Sequence, residues 1–177
     1  MDTHLVIALV GRDRPGLVNA VSETVTAGGG NWLDTRMANL AGQFAGIVLV
    51  SVPDEKASAL VASLHKLETG DLRLIVQPAG EQPKSPFSET ISLELVGHDR
   101  PGIVRDLSRA LAGLQVSIVE FESERSDGSF SGEAMFKARA RLHLPTNLSV
   151  DEVRKSIEDL ANELMVDIGS AEPDDRQ

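Results

Sequence analysis

Apolar and polar positions alternate near the start of the chain, which puts Leu5, Ile7 and Leu9 on one face of a strand. At Leu17 the period changes. Leu17, Val18, Val21 and Val25 form one apolar stripe of a helix, which Gly28 to Gly30 end. A hairpin is predicted next, from Trp32–Leu40 and Phe44–Val52, turning at Ala41-Gly42. Leu60, Leu64 and Leu67 then mark a second helix with Asp54 as its N-cap, and Leu72–Val76 a last short strand. The series returns in the second half, with its first strand, loop and first helix 86 residues later. Ile91, Leu93 and Leu95 alternate, and Ile103, Val104, Leu107 and Leu111 form a helical stripe ended by Gly113. A hairpin follows from Val116–Arg125 and Glu133–Leu144, with a Ser- and Gly-rich connection between them. Ser149 and Glu152 form a capping-box pattern before Val153, Ile157, Leu160 and Leu164, and Met165–Ile168 closes the series.

Each half therefore reads β-α-β-β-α-β, the split βαβ or ferredoxin-like unit. The expected fold is α+β: two such domains in tandem, each an antiparallel four-stranded sheet with two helices on one face. The expected limits are 1–77 for the first domain, 78–89 for a Pro- and Gly-containing linker, 90–171 for the second domain, and 172–177 for a flexible acidic tail. Charges sharpen the second hairpin. Glu120, Glu122 and Glu124 share one face of one strand, and Lys137, Arg139 and Arg141 one face of the next. Centring the hairpin near residues 130 and 131 pairs Glu120 with Arg141, Glu122 with Arg139 and Glu124 with Lys137. Phe136, Ala138, Ala140 and Leu142 then face the helices. In the first half Val6 and Ala8 replace Ser92 and Glu94, and Val48, Val50 and Val52 alternate with Ile47, Leu49 and Ser51. Both faces of that sheet are largely apolar, so a second copy of the chain, as in a homodimer, or a partner protein is expected to cover the outer one.

Composition narrows the function. The chain has 177 residues and a formal net charge of −10, which opposes direct binding of a nucleic acid backbone. The basic row of the second hairpin is neutralised by the acidic row beside it. There is no Cys, hence no disulfide, thiolate nucleophile or thiolate metal site, and a cytoplasmic location is expected. No apolar run is long enough to span a membrane, and the first apolar stretch lacks the basic flank of a signal peptide. His4, His65, His98 and His143 are scattered with no metal-binding spacing, and no Gly-x-Ser-x-Gly elbow occurs. No catalytic residue, metal or cofactor is therefore assigned, and the chain is expected not to be an enzyme.

The candidate chemistry lies in the octapeptide GRDRPGLV, Gly11 to Val18, repeated as GHDRPGIV, Gly97 to Val104. In each copy it joins the first strand to the first helix. Backbone N–H groups at a helix start favour an anion. Gly11 and Gly97 allow the chain to bend, Gly16 and Gly102 a close approach of ligand, and Pro15 and Pro101 fit the first helical turn. Asp13 and Asp99 are placed either to cap the helix or to take an ammonium group. Together these groups suit a zwitterion, that is, an amino acid. The same residues also make a turn and helix start that needs no ligand.

Two βαββαβ units, each with a Gly-x-Asp-Arg-Pro-Gly-[Leu/Ile]-Val loop, resemble tandem ACT domains. GGGNWLDTRMANLAGQFAGIVLVSVP in the first half and GEAMFKARARLHLP in the second are similar to the glycine cleavage system transcriptional repressor family. The resemblance covers nearly the whole chain. It implies a non-catalytic regulator that senses a small amino acid, with glycine favoured, and acts through a transcription factor by protein contact. It places the effector loops at Gly11, Arg12, Asp13, Arg14, Pro15 and Gly16, and at Gly97, His98, Asp99, Arg100, Pro101 and Gly102. Since ACT domains often bind ligand between such a loop and the second strand of a neighbouring domain, it also nominates Asn31 and Asp34. The second half has Gln115 and Ser117 there, and His98 in place of Arg12, so the two sites need not be equivalent. An allosteric subunit for an amino-acid metabolic enzyme, or an interaction module without ligand, remains a further reading.

Overall fold

The computed structural model describes residues 1–80, 87–127, 134–159 and 165–170. The described chain runs β1 (Asp2–Arg12), α1 (Leu17–Ala27), β2 (Asn31–Leu40), β3 (Gln43–Pro53), α2 (Asp54–His65) and β4 (Leu72–Pro78). It then repeats as β5 (Phe87–His98), α3 (Ile103–Gly113), β6 (Ser117–Asp127), β7 (Ala134–Pro145), α4 (Val150–Glu158) and β8 (Met165–Ser170). Each set forms one antiparallel four-stranded sheet, in the order β2-β3-β1-β4 and β6-β7-β5-β8. This is the α+β ferredoxin-like arrangement that the two apolar periods predict. Two compact units result, 1–82 and 83–177. β4 runs to Pro78 and β5 starts at Phe87, so strand occupies both ends of the segment 78–89. Leu160, Leu164, residues 171–177 and the centre of the second hairpin lie outside the described residues.

The alternation decides which side is core. In the first unit Leu5, Ile7, Leu9, Val48, Val50 and Val52 are buried from the sheet, and Leu17, Val21, Val25, Leu60 and Leu64 from the helices. In the second unit Ile91, Leu93, Leu95, Phe136, Ala138, Ala140 and Leu142 meet Ile103, Leu107, Leu111, Val153 and Ile157. Val18 and Val104 are exposed, because a helix on a sheet buries a single row and these positions lie beside it. Ala41 and Gly42 both take positive φ, 51° and 78°, as a two-residue hairpin turn matched to strand twist requires.

Local devices differ between the copies. Ser149 caps α4 in a full capping box with Glu152, as its spacing predicts. Asp54 does not cap α2. The N-cap is Pro53, and the Asp54 carboxylate instead accepts a bond from the Thr3 hydroxyl at 2.7 Å. Past α1 the left-handed residue is Gly29, and the equivalent position past α3 is held by Gln115, at φ 58°. Each sheet also has a bulge that the hydrophobic pattern does not announce, at Leu33 in β2 and at Val119 in β6. The two bulges are themselves 86 residues apart, and both side chains are exposed.

Candidate functional site

The repeated loop is built from backbone first. Gly11 closes β1 against Asp71, where a Cβ would lie 2.4 Å from the Asp71 carbonyl oxygen. Its role is close packing of chain on chain, not a bend. The Arg12 N–H donates to that same carbonyl at 2.9 Å, and the Asp13 N–H to the Gly42 carbonyl at 3.1 Å. The hairpin tip and the start of β4 thereby hold the loop. Gly16 and Gly102 are the N-caps of α1 and α3, both at φ 87°. A Cβ at Gly16 would meet open space, so the glycine is there for its left-handed backbone, not for a ligand's approach. Helical structure starts at Leu17 and Ile103, which places Pro15 and Pro101 one residue before the caps, outside the first turn. Neither helix has a side-chain cap, so its leading N–H groups receive nothing from Asp13 or Asp99.

The two aspartates bond elsewhere. Asp13 accepts from the amide of Asn39, at the end of β2. Asp99 accepts from Nε of Arg125, in the equivalent place on β6, at 3.1 Å. In the second copy Arg100 is bound to Asp106, in the first turn of α3, at 2.7 Å, and Arg105 grips the other oxygen of the same carboxylate at 2.9 Å. Hydrogen bonding from Arg100, then from Arg105, holds the Asp106 carboxyl below its usual range. Asn39, Arg125 and Asp106 were not among the residues the sequence nominates. A usable signal existed: each hairpin strand ends beside its loop, and both Asp partners lie at the same spacing, 26 residues on.

Asn31 and Asp34 are not near the loop of their own domain. Asn31 pairs with Ser51 at the opposite end of the sheet, and Asp34 pairs with Leu49 and bonds Arg36 at 2.7 Å. Asp34 instead lines a concavity of about 650 Å³ on the outer face of the first sheet, with His4, Val6, Arg36, Ile47 and Leu49. That face is apolar at its centre. Ile47 and Ile75 are 52% and 60% exposed, which leaves a patch uncovered within the chain. The outer face of the second sheet is ionic. The register pairs Glu120 with Arg141, Glu122 with Arg139 and Glu124 with Lys137, as the charge rows predict. Arg141 reaches Glu120 at 2.6 Å, while Arg139 turns the other way and bonds Glu94 of β5 at 3.0 Å. Among the described residues no helix is long and apolar enough to cross a membrane, and no group of three or more His, Asp or Glu converges as for a metal.

These two units, each with its glycine-capped loop between β1 or β5 and the following helix, are ACT domains. The ACT domain family matches residues 3–76 and again 91–162, and the chain belongs to that family. The chain is 24% identical over 163 residues to the glycine cleavage system transcriptional repressor of Escherichia coli strain K12, across 91% of this chain and 85% of that protein. The crystal structure of an unknown protein from Galdieria sulphuraria matches 97% of this chain and all of its own, with 28% identity and a TM-score of 0.81. The crystal structure of a candidate glycine cleavage system transcriptional repressor matches 97% of this chain and 99% of its own, at 18% identity and a TM-score of 0.69. The named relative is a regulator, and the homology supports a regulatory ACT protein.

Proposed function

We propose that this chain is a non-catalytic, cytoplasmic sensor of a small amino acid, with glycine first among candidates. It controls a transcription factor by protein contact and not by touching DNA. The observation that carries the reading is the loop itself, where an exposed aspartate stands beside a helix start with no side-chain cap. A carboxylate can take the open N–H groups and the loop arginine while the aspartate takes the ammonium. The candidate loops are Gly11 to Gly16 and Gly97 to Gly102, and Asn31 and Asp34 serve a loop of a neighbouring domain. The acidic net charge and the ion-paired second sheet support action through protein. The apolar outer face of the first sheet is the surface for a homodimer or for the partner.

A thermal-shift screen of the proteinogenic amino acids tests the sensor. A ligand that binds only the folded state adds about 2.7 kcal/mol of stability at a hundredfold excess over Kd. A selective shift by glycine or a close analogue is expected, and no shift with any amino acid would return the loop to a plain helix start. Light scattering with Ile47→Glu tests the face. The charge is expected to leave a monomer, and an unchanged mass would remove the face from the assembly.

A further inference from the structure

The two loops share a sequence but not an electrostatic state. In the second, Asp99 and Arg100, the two charges of its Asp-Arg-Pro-Gly, are both held in ion pairs. Asp99 is neutralised by Arg125, and Arg100 by Asp106, which Arg105 also grips. In the first, the residues at those partner positions are changed. Arg125 becomes Asn39, an uncharged amide, so the partner of Asp13 brings a hydrogen bond but no positive charge. Asp106 becomes Ala20, and Arg105 becomes Asn19, whose amide is taken by Glu23 at 2.9 Å. Arg14 thus has no carboxylate where Arg100 has one, and among the described residues it makes no ion pair or hydrogen bond. Exposure follows the same split. Arg14 and Gly16 are exposed, while Arg100, Gly102 and Asp106 are half-buried.

We propose that the first loop alone takes the amino acid, with Asp13 and Arg14 as its ammonium and carboxylate partners, and that the second is a closed structural copy. The proposal rests on the sensor reading above and says which copy does the sensing. An α-amino acid brings one positive and one negative group a few ångströms apart. The first loop offers the complementary pair on consecutive residues, neither one neutralised. To bind the same ligand, the second loop would have to break a charge-assisted pair at Asp99 and another at Arg100, each worth more than a neutral hydrogen bond. Position 39 is then the residue that decides specificity between the copies.

The test is a titration of the full-length, ¹⁵N-labelled chain with glycine, and with alanine and serine as close analogues, read at the amides of both loops. Saturable shifts at residues 11–18 are expected, with residues 97–104 unmoved. Equal shifts in both loops, or shifts in the second alone, would overturn the assignment while leaving the sensor reading intact. Shifts in neither would overturn both. Asn39→Arg gives Asp13 the partner that Asp99 has. It lies on an exposed edge strand, so the fold is expected to survive, with an unchanged melting temperature as the check. It should weaken glycine binding by about tenfold or more, whereas Arg125→Asn should leave the Kd of the first loop unchanged. An Asn39→Arg variant that binds as tightly as the parent sinks the proposal.

Discussion

The two domains have one topology, one helix-start geometry and one bulge position, yet their exposed surfaces have diverged in opposite senses. The first keeps an apolar outer sheet face around Ile47, Leu49 and Ile75 and leaves Asp13 without a cation. The second covers the same face with Glu94, Glu120, Arg139 and Arg141 and pairs the charges of its loop. What the copies share is what holds the fold: the buried rows and the left-handed glycines. What they do not share faces water or a partner. Exposed ion pairs add little to stability, so the charged second face is better understood as keeping that sheet solvated.

The comparison can be broken most forcefully in the cores. Leu111 is fully buried in the second domain only, and the two cores are separate clusters. Leu111→Ala should cost about 2–5 kcal/mol. Hydrogen exchange should show the loss in 83–177 and leave the protection of the first unit unchanged. Equal losses in both units would mean that they fold as one. Gly16→Ala and Gly102→Ala ask whether the caps are equivalent. Each forces a non-glycine residue to φ 87°, at about 1–2 kcal/mol, and at Gly102 the new Cβ also meets the Arg105 guanidinium 3.0 Å away, so Gly102→Ala should cost at least as much as Gly16→Ala in urea titrations. A smaller loss at Gly102 than at Gly16 would show that the loops are not backbone copies. Ser149→Ala should remove about 1 kcal/mol, again from the second domain, since Pro53 offers α2 no side-chain cap to lose.

The smallest effect is in acid. Because the folded Asp106 pKa is lowered, its contribution to stability is complete above the unfolded value near pH 4. It fades as pH falls through the folded value. Denaturation at pH 7 and at pH 3 should show this loss in the second domain, and Asp106→Asn should reduce it. Ala20 gives the first domain no equivalent, so Ala20→Asp should create one by giving Arg14 a partner.

Most of the architecture is legible from periodicity, because burial on one side of a sheet imposes a period of two and burial of a helix stripe imposes another. The ladder Glu120–Arg141, Glu122–Arg139, Glu124–Lys137 follows from the same logic, since opposite charges across strands fix a register. The site was less legible. The partner of Asp13 lies across a hairpin, and nothing adjacent to Asp-Arg-Pro-Gly names it. Asp54 has the composition of a cap but sits one residue too far on, with the Thr3 hydroxyl of β1 within reach. Arg139 has acidic residues on both sides, and register alone does not choose between Glu122 and Glu94.

The bulges at Leu33 and Val119 have a consequence at the far end of their strands. A regular strand assigns even and odd positions to opposite sides from beginning to end. One extra residue swaps that parity. Trp32 lies on the helix side before the bulge, and the odd positions Thr35 and Met37 lie there after it, opposite Val48 and Gly46. Position 39 inherits the swap, as does 125, opposite Phe44 and the buried Phe136. Without the insertion both side chains would point away from the aspartates they hold. An irregularity six residues upstream, about 20 Å along the strand, thus chooses which side chain each loop can reach.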